Sequence, residues 1–170
     1  MDVIGAMKAR RSVRSYLPRK VEQEKLNAVL EAVRLTPSRH NDQNIRVIVV
    51  RDSALKQQIR QQAETQPMVE EADVLLVFCA TDRTDFVMPC GQYGYVVDMS
   101  LATGFALLEA AEQRLDTCII CAFREDAVKD LLHVPASARV VSMVALGYGA
   151  DNSPRKAKKN MEEIVSYDRF

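Results

Sequence analysis

The stretch QYGYVVDMSLATGFALLEAAEQ, residues 92–113, decides how the rest of the chain is read. It has no proline, and Val96, Met99, Ala102, Thr103, Ala106, Leu107 and Ala110 recur at helical spacing. Small and apolar residues cover much of its circumference, which predicts a long helix placed centrally or at an interface. Strand-like runs lie on both sides of it. DVLLVFCAT (73–81) is apolar from Val74 to Ala80 and reads as a buried strand; TCIICAF (117–123) reads as another. The loop RTDFVMPCGQYG (83–94) leads into the helix, with Pro89 and Gly91 as punctuation.

Working outward, DVIGAMKAR (2–10) predicts a short helix, and VEQEKLNAVLEAVRL (21–35) a clear one, with Leu26, Val29, Leu30 and Val33 on one face. That helix stops at Thr36-Pro37-Ser38. The polar loop SRHNDQN (38–44) follows, then the strand IRVIVVR (45–51). Ser53 is expected to cap a polar helix that ends at Pro67. Beyond the long helix come a short helix from Glu125 to His133 and a last strand, RVVSMVALGYG (139–149). The elements do not alternate strictly, and there is no internal repeat. The class is therefore α+β, built as one layer pair over residues 1–150. Residues 151–170 form a C-terminal arm whose Ile164, Val165, Tyr167 and Phe170 need a surface to cover them.

A chain of 170 residues suits one domain with a sizeable core. Its 23 basic side chains balance 23 acidic ones, which argues against a general nucleic-acid binder. The N-terminus does not read as a secretory signal, and no apolar run approaches the roughly 18 residues of a membrane span. The chain reads as cytoplasmic. Its four cysteines accordingly read as thiols. Cys118 and Cys121 form a C-x-x-C, but in a strand positions i and i+3 face opposite ways, so the pair suits neither a bridge nor a metal. The two histidines, His40 and His133, exclude a His-rich metal site, and His133 reads as a surface group.

Charge is nevertheless concentrated. KARRSVRSYLPRK (8–20) holds six cations and no acid. In an extended segment Arg10, Ser12 and Arg14 alternate to one side, and guanidinium and hydroxyl groups so placed make a phosphate clamp. A solvated basic face is the other reading. RKAKK (155–159) repeats the alternation with Lys156 and Lys158, and the two clusters, from opposite ends of the chain, can meet on one phosphate. The loop PSRHNDQN crowds Ser38, His40, Asn41 and Gln43 together, as a ligand with several ring heteroatoms would require. There is no glycine-rich phosphate loop and no catalytic triad.

These motifs, RRSVRSY, TPSRHNDQN before IRVIVV, and ALGYGADN with RKAKKNMEEIVSYDRF, together resemble the nitroreductase family of FMN-dependent oxidoreductases, in the same order and over nearly the whole chain. The resemblance implies a mainly antiparallel central sheet flanked by helices, and a homodimer with the C-terminal arm exchanged and FMN at the interface. It implies that Arg10, Arg11, Ser12, Arg14, Lys156 and Lys158 hold phosphate and ribityl. Pro37, Ser38, Arg39, His40, Asn41 and Gln43 would contact the flavin of the partner subunit. Cys121 and Ala122 would lie near flavin N5, and Gln66 near the ring edge. The implied activity is ping-pong hydride transfer from NAD(P)H, through the flavin, to a nitroaromatic, a quinone or a similar acceptor. The same fold also admits dehalogenation, flavin breakdown or flavin binding without turnover. Three departures stand out. Asn44-Ile45 replaces the family's Pro-Trp, Arg114 and Asp116 stand where glycine is common, and so does Cys121.

Overall fold

The computed structural model describes residues 2–82, 84–151 and 157–170. Six helices and four strands are formed among them: α1 Val3–Ala9, α2 Gln23–Arg34, β1 Ile45–Val50, α3 Ser53–Gln62, α4 Met68–Glu71, β2 Val74–Ala80, α5 Gly94–Glu112, β3 Asp116–Ile120, α6 Glu125–Leu132 and β4 Arg139–Gly147. The strands form one antiparallel sheet in the order β1-β2-β4-β3.

Every residue of β2 is buried, because helices cover both faces of the sheet. On one face α2 and α5 pack against Val74, Leu76, Phe78, Val144 and Leu146. On the other, Ile59 of α3, Met68 and Val69 of α4 and Val128 of α6 pack against Leu75, Val77, Cys118 and Ala145. The architecture thus has three layers rather than the expected layer pair. The continuous apolar run 74–80 reflects that, since a strand buried on both faces loses its alternation.

Local chemistry sets the helix ends. Asp2 Oδ1 accepts from Gly5 N and starts α1. Asp52, not Ser53, caps α3, accepting from Leu55 N at 2.7 Å. That helix stops at Gln62, five residues short of Pro67, and Glu64 turns the chain with φ +55° into α4. His133 closes α6 in the same left-handed region. Lys56 is buried, and its Nζ donates to Ala72 O and Asp73 O. Asp73 in turn accepts from Val21 N and Arg51, so the start of β2 is tied to three other segments.

The two ends of the body run side by side. Val13 N donates to Thr117 O, Leu17 N to Tyr148 O, and Ala150 N to Ser15 O, all within 2.9 Å. Asp116 accepts from Arg11 Nε at 3.2 Å and from Gly149 N at 3.0 Å. A Cβ on Gly149 would stand 2.8 Å from Asp116 Oδ2 and 2.9 Å from Val13 Cγ1. Gly149→Ala is therefore expected to destabilise the protein by about 1–3 kcal/mol, the usual cost of overpacking. A lower urea midpoint at unchanged slope would show it; an unchanged midpoint would mean the seam has slack.

Candidate functional site

Two groups of expected site residues lie at opposite edges of the sheet. The first flanks β3. The bridge between Ser12 and Thr117 lays residues 10–16 beside that strand, with Val13 buried. Arg11 is engaged by Asp116. Arg14 is exposed, and Arg10 and Ser12 are half-buried. Burial pushes the Cys118 thiol up, while the Arg14 and Arg10 charges pull it down, so both guanidinia act on the same strand. Among the described residues neither Arg10 nor Arg14 has a carboxylate partner for its guanidinium. Arg14 N donates to Asp151 Oδ2 at 3.4 Å, which brings the root of the C-terminal arm to the basic segment. Lys158 is exposed, and Lys156 lies outside the described residues.

Near this edge, Arg124 N donates to Ala63 O at 3.0 Å and joins the α3–α4 turn to the segment after β3. Gln66, Cys121 and Ala122 are all exposed along that junction. Cys118 and Cys121 differ as the strand geometry requires: one is buried, the other exposed, and all four cysteines are free.

The second group is the loop Pro37–Gln43 ahead of β1, at the far edge. His40, Asn41 and Gln43 adopt φ of +49°, +59° and +51°. Non-glycine residues in that region carry strain and need their surroundings to hold them. Ser38 Oγ accepts from Gln43 N, and the buried carboxylate of Asp98 on α5 accepts from Arg39 N, both at 3.0 Å. The Arg39 guanidinium pairs with Asp42 and lies 3.9 Å from the Phe86 ring centroid. Pro37, Ser38, Gln43, Asn44 and Asp98 line a hollow of about 210 Å³ between α2 and α5.

The sheet keeps the groups apart. Three strand spacings separate β1 from β3, roughly 14 Å. One chain therefore does not assemble the expected set.

Residues 7–148 match the model of the nitroreductase family. The chain belongs to the nitroreductase family. It is 33% identical to the FMN reductase [NAD(P)H] of Bacillus subtilis, over 99% of this chain and 74% of that protein. It is 29% identical to the NADH dehydrogenase of Thermus thermophilus, over 97% and 95%. Among solved structures, the hypothetical oxidoreductase YcnD of Bacillus subtilis superposes with a TM-score of 0.87 at 32% identity, over all of this chain and 75% of that one. A nitroreductase family protein of Clostridium difficile 630 gives 0.85 at 25%, over the whole of both chains. The family and its fold, read from the motifs, are borne out.

Several residues that shape these two groups were not singled out by sequence reasoning. Asp98 is the one acid between residues 92 and 108 of the long helical stretch, and that contrast was its signal. Asp116 and Arg114 were noticed only as departures. Asp116 now anchors Arg11, and Arg114 takes φ +59°, the conformation that glycine favours. Asn44 Oδ1 and Thr65 Oγ1 are buried oxygens without a partner, each one residue from an expected site residue.

Removing the Asp98 carboxylate should free the strained loop. A hydrogen bond to a charged group contributes about 1.5–3 kcal/mol. Asp98→Ala should then raise the open population of residues 37–43 about 10- to 100-fold, read as faster tryptic cleavage after Arg39. Unchanged cleavage would show that other contacts hold the loop.

Proposed function

We propose that this protein is an FMN-dependent NAD(P)H oxidoreductase, acting as a cytoplasmic homodimer on a nitroaromatic, a quinone or a similar conjugated small molecule. The observation that carries the reading is the division of the site: unpaired cations with a serine at one sheet edge, a strained polar loop at the other. A two-fold axis joins the first group of one chain to the second group of its partner. The names of its relatives, FMN reductase [NAD(P)H] and NADH dehydrogenase, support the cofactor and the reductant.

The residues present fit FMN. Its phosphate calls for cations free of carboxylates, which Arg10 and Arg14 supply, with the Ser12 hydroxyl between them. Arg11 positions this segment through Asp116. Lys158 brings further charge from the arm, joined by Lys156, which lies outside the described residues. Exposed groups at Gln66, Cys121 and Ala122 would border the ring of the same chain's cofactor, while Pro37, Ser38, His40, Asn41 and Gln43 would meet it from the partner. Arg39 supports that loop through Asp98, Asp42 and Phe86. When bound, FMN supplies the capacity to take hydride from NAD(P)H and return it to a second substrate. The protein's task is then binding, orientation and exclusion of water, and no protein nucleophile is required.

The dimer also answers the exposed apolar surface. Val97, Leu101 and Phe105 of α5 and Val3, Ile4 and Met7 of α1 are exposed. Every described residue from 157 onward is exposed too, including Met161, Ile164, Tyr167 and Phe170. The arm, residues 151–170, would cover the partner subunit, each large side chain contributing about 1.5–3 kcal/mol on burial.

The purified protein should be yellow, and heat should release a flavin that runs with FMN and not FAD. A colourless protein that fails to take up added FMN would refute the proposal. Arg10→Ala and Arg14→Ala should each weaken FMN binding about ten- to a hundred-fold while leaving the dimer intact, since each loses one charge-assisted contact. Fluorescence titration with FMN reads this, and unchanged affinity in both would return the segment to a solvated basic face. Truncation after Gly149 should yield monomers or aggregates and release FMN in the same step. Sedimentation showing a stable, FMN-loaded truncated dimer would make the arm dispensable.

A further inference from the structure

A hollow of about 630 Å³ opens on the α6 side of the sheet, between β1 and the α6–β4 connection. It is separate from the site proposed above: it lies across the sheet from the hollow beside Pro37–Gln43, and at the opposite edge from Arg10–Arg14. Arg46 and Ile48 point to this face from β1, opposite Cys79 and Val77 of β2. A β-bulge between Phe78 and Cys79 interrupts the β2–β4 ladder at its floor. Bulges commonly re-aim side chains next to binding sites.

The far wall is a fixed turn. Lys129 Nζ donates to Ala136 O and Ala138 O at 3.0 and 2.8 Å, and Thr84 Oγ1 donates to Ser137 O at 3.0 Å. His133 stands at its start with φ +52°. Among the described residues no carboxylate lines the hollow, and Arg46 has no ion pair. Most of the remaining lining is apolar, led by Ile48 and Val134. Burial pushes the Cys79 thiol up to about 11, so the floor is neutral and unreactive at physiological pH. A mostly apolar cavity of this size with a few polar groups on its wall matches small-molecule sites in general. One permanent cation, with the His133 imidazole and the Thr81 and Ser137 hydroxyls on the same lining, suits a monoanion rather than a phosphate dianion.

We propose that this hollow binds a small organic carboxylate with an apolar body, the carboxylate on Arg46 beside His133 and Ser137, and the body against Ile48 and Val134. The planar guanidinium fork matches a carboxylate in two hydrogen bonds. The probe is 2-naphthoate, titrated by calorimetry into the purified full-length protein while its visible spectrum is followed. Saturable binding at one site per chain is expected, with the spectrum unchanged. 2-Naphthamide, the same shape without the charge, should bind about ten-fold more weakly or worse, and Arg46→Gln should lose naphthoate by a similar factor. Val134→Trp should fill the cavity and abolish binding. If that variant misfolds, Arg46→Gln, on an exposed edge position, decides alone. No binding up to the solubility limit, equal binding of the amide, unchanged affinity in Arg46→Gln, or a spectral change showing naphthoate on the cofactor would each overturn the proposal.

Discussion

The carboxylate of Asp116 joins the two ends of this fold, and the arrangement of the basic segment depends on it. It receives Arg11 from the N-terminal segment and the amide of Gly149 from the end of the body. As an ion pair it is half-exposed and contributes little by itself. Its consequence is geometric. With Arg11 held by Asp116 and Val13 buried, Arg14 is left exposed and Arg10 and Ser12 half-buried beside β3. The hydrogen bonds of Val13, Leu17 and Ala150 then fix that register along β3 and the root of the arm. The like charges of this run are thereby divided: Arg11 is held by Asp116 and Arg19 by Glu22 and the Tyr148 ring, while Arg10 and Arg14 have no carboxylate partner among the described residues.

The sheet supplies the second constraint. An antiparallel order of β1-β2-β4-β3 puts the segment after Ala9 and the loop before β1 at opposite edges. No side chain spans that distance. In the proposed dimer the separation becomes useful, because a two-fold axis turns one chain's near edge toward its partner's far edge. The same logic explains why every described residue of the arm from 157 onward is exposed. The described hydrogen bonds of those residues are local, such as Asn160 N to Glu163 and Val165 N to Met161 O.

Much of this was legible in the sequence, and the reasons are specific. The helix periodicity of residues 21–35 and 92–113 and the apolar run 74–80 each arise from burial, which pattern reports directly. The motifs at 10–14 and 37–43 were legible because charge and polar crowding are costly without a purpose. Other features left no trace of that kind. Four residues of α4 are too few to show a period. Asp52 and Ser53 are both good caps, and only the backbone decides between them. The third layer escaped because an apolar strand reads alike whether one face or both are covered, unless its lack of alternation is weighed. The role of Asp116 depends on Arg11, 105 positions away, a separation no local pattern reports.

Helix α5 ties the remaining pieces together. One stripe of it, Met99, Ala102, Ala106 and Ala110, is buried in the body, and small side chains there let it lie close to the sheet. Another stripe, Val97, Leu101 and Phe105, is exposed. Asp98 sits beside that exposed stripe and points back to Arg39 N. The helix that carries this exposed apolar stripe is thus also the helix that holds the strained loop in shape. A shift of α5 on association would be felt at His40 and Asn41 directly, through one buried carboxylate. In the proposed dimer, assembly and the shaping of this loop would therefore be coupled through Asp98.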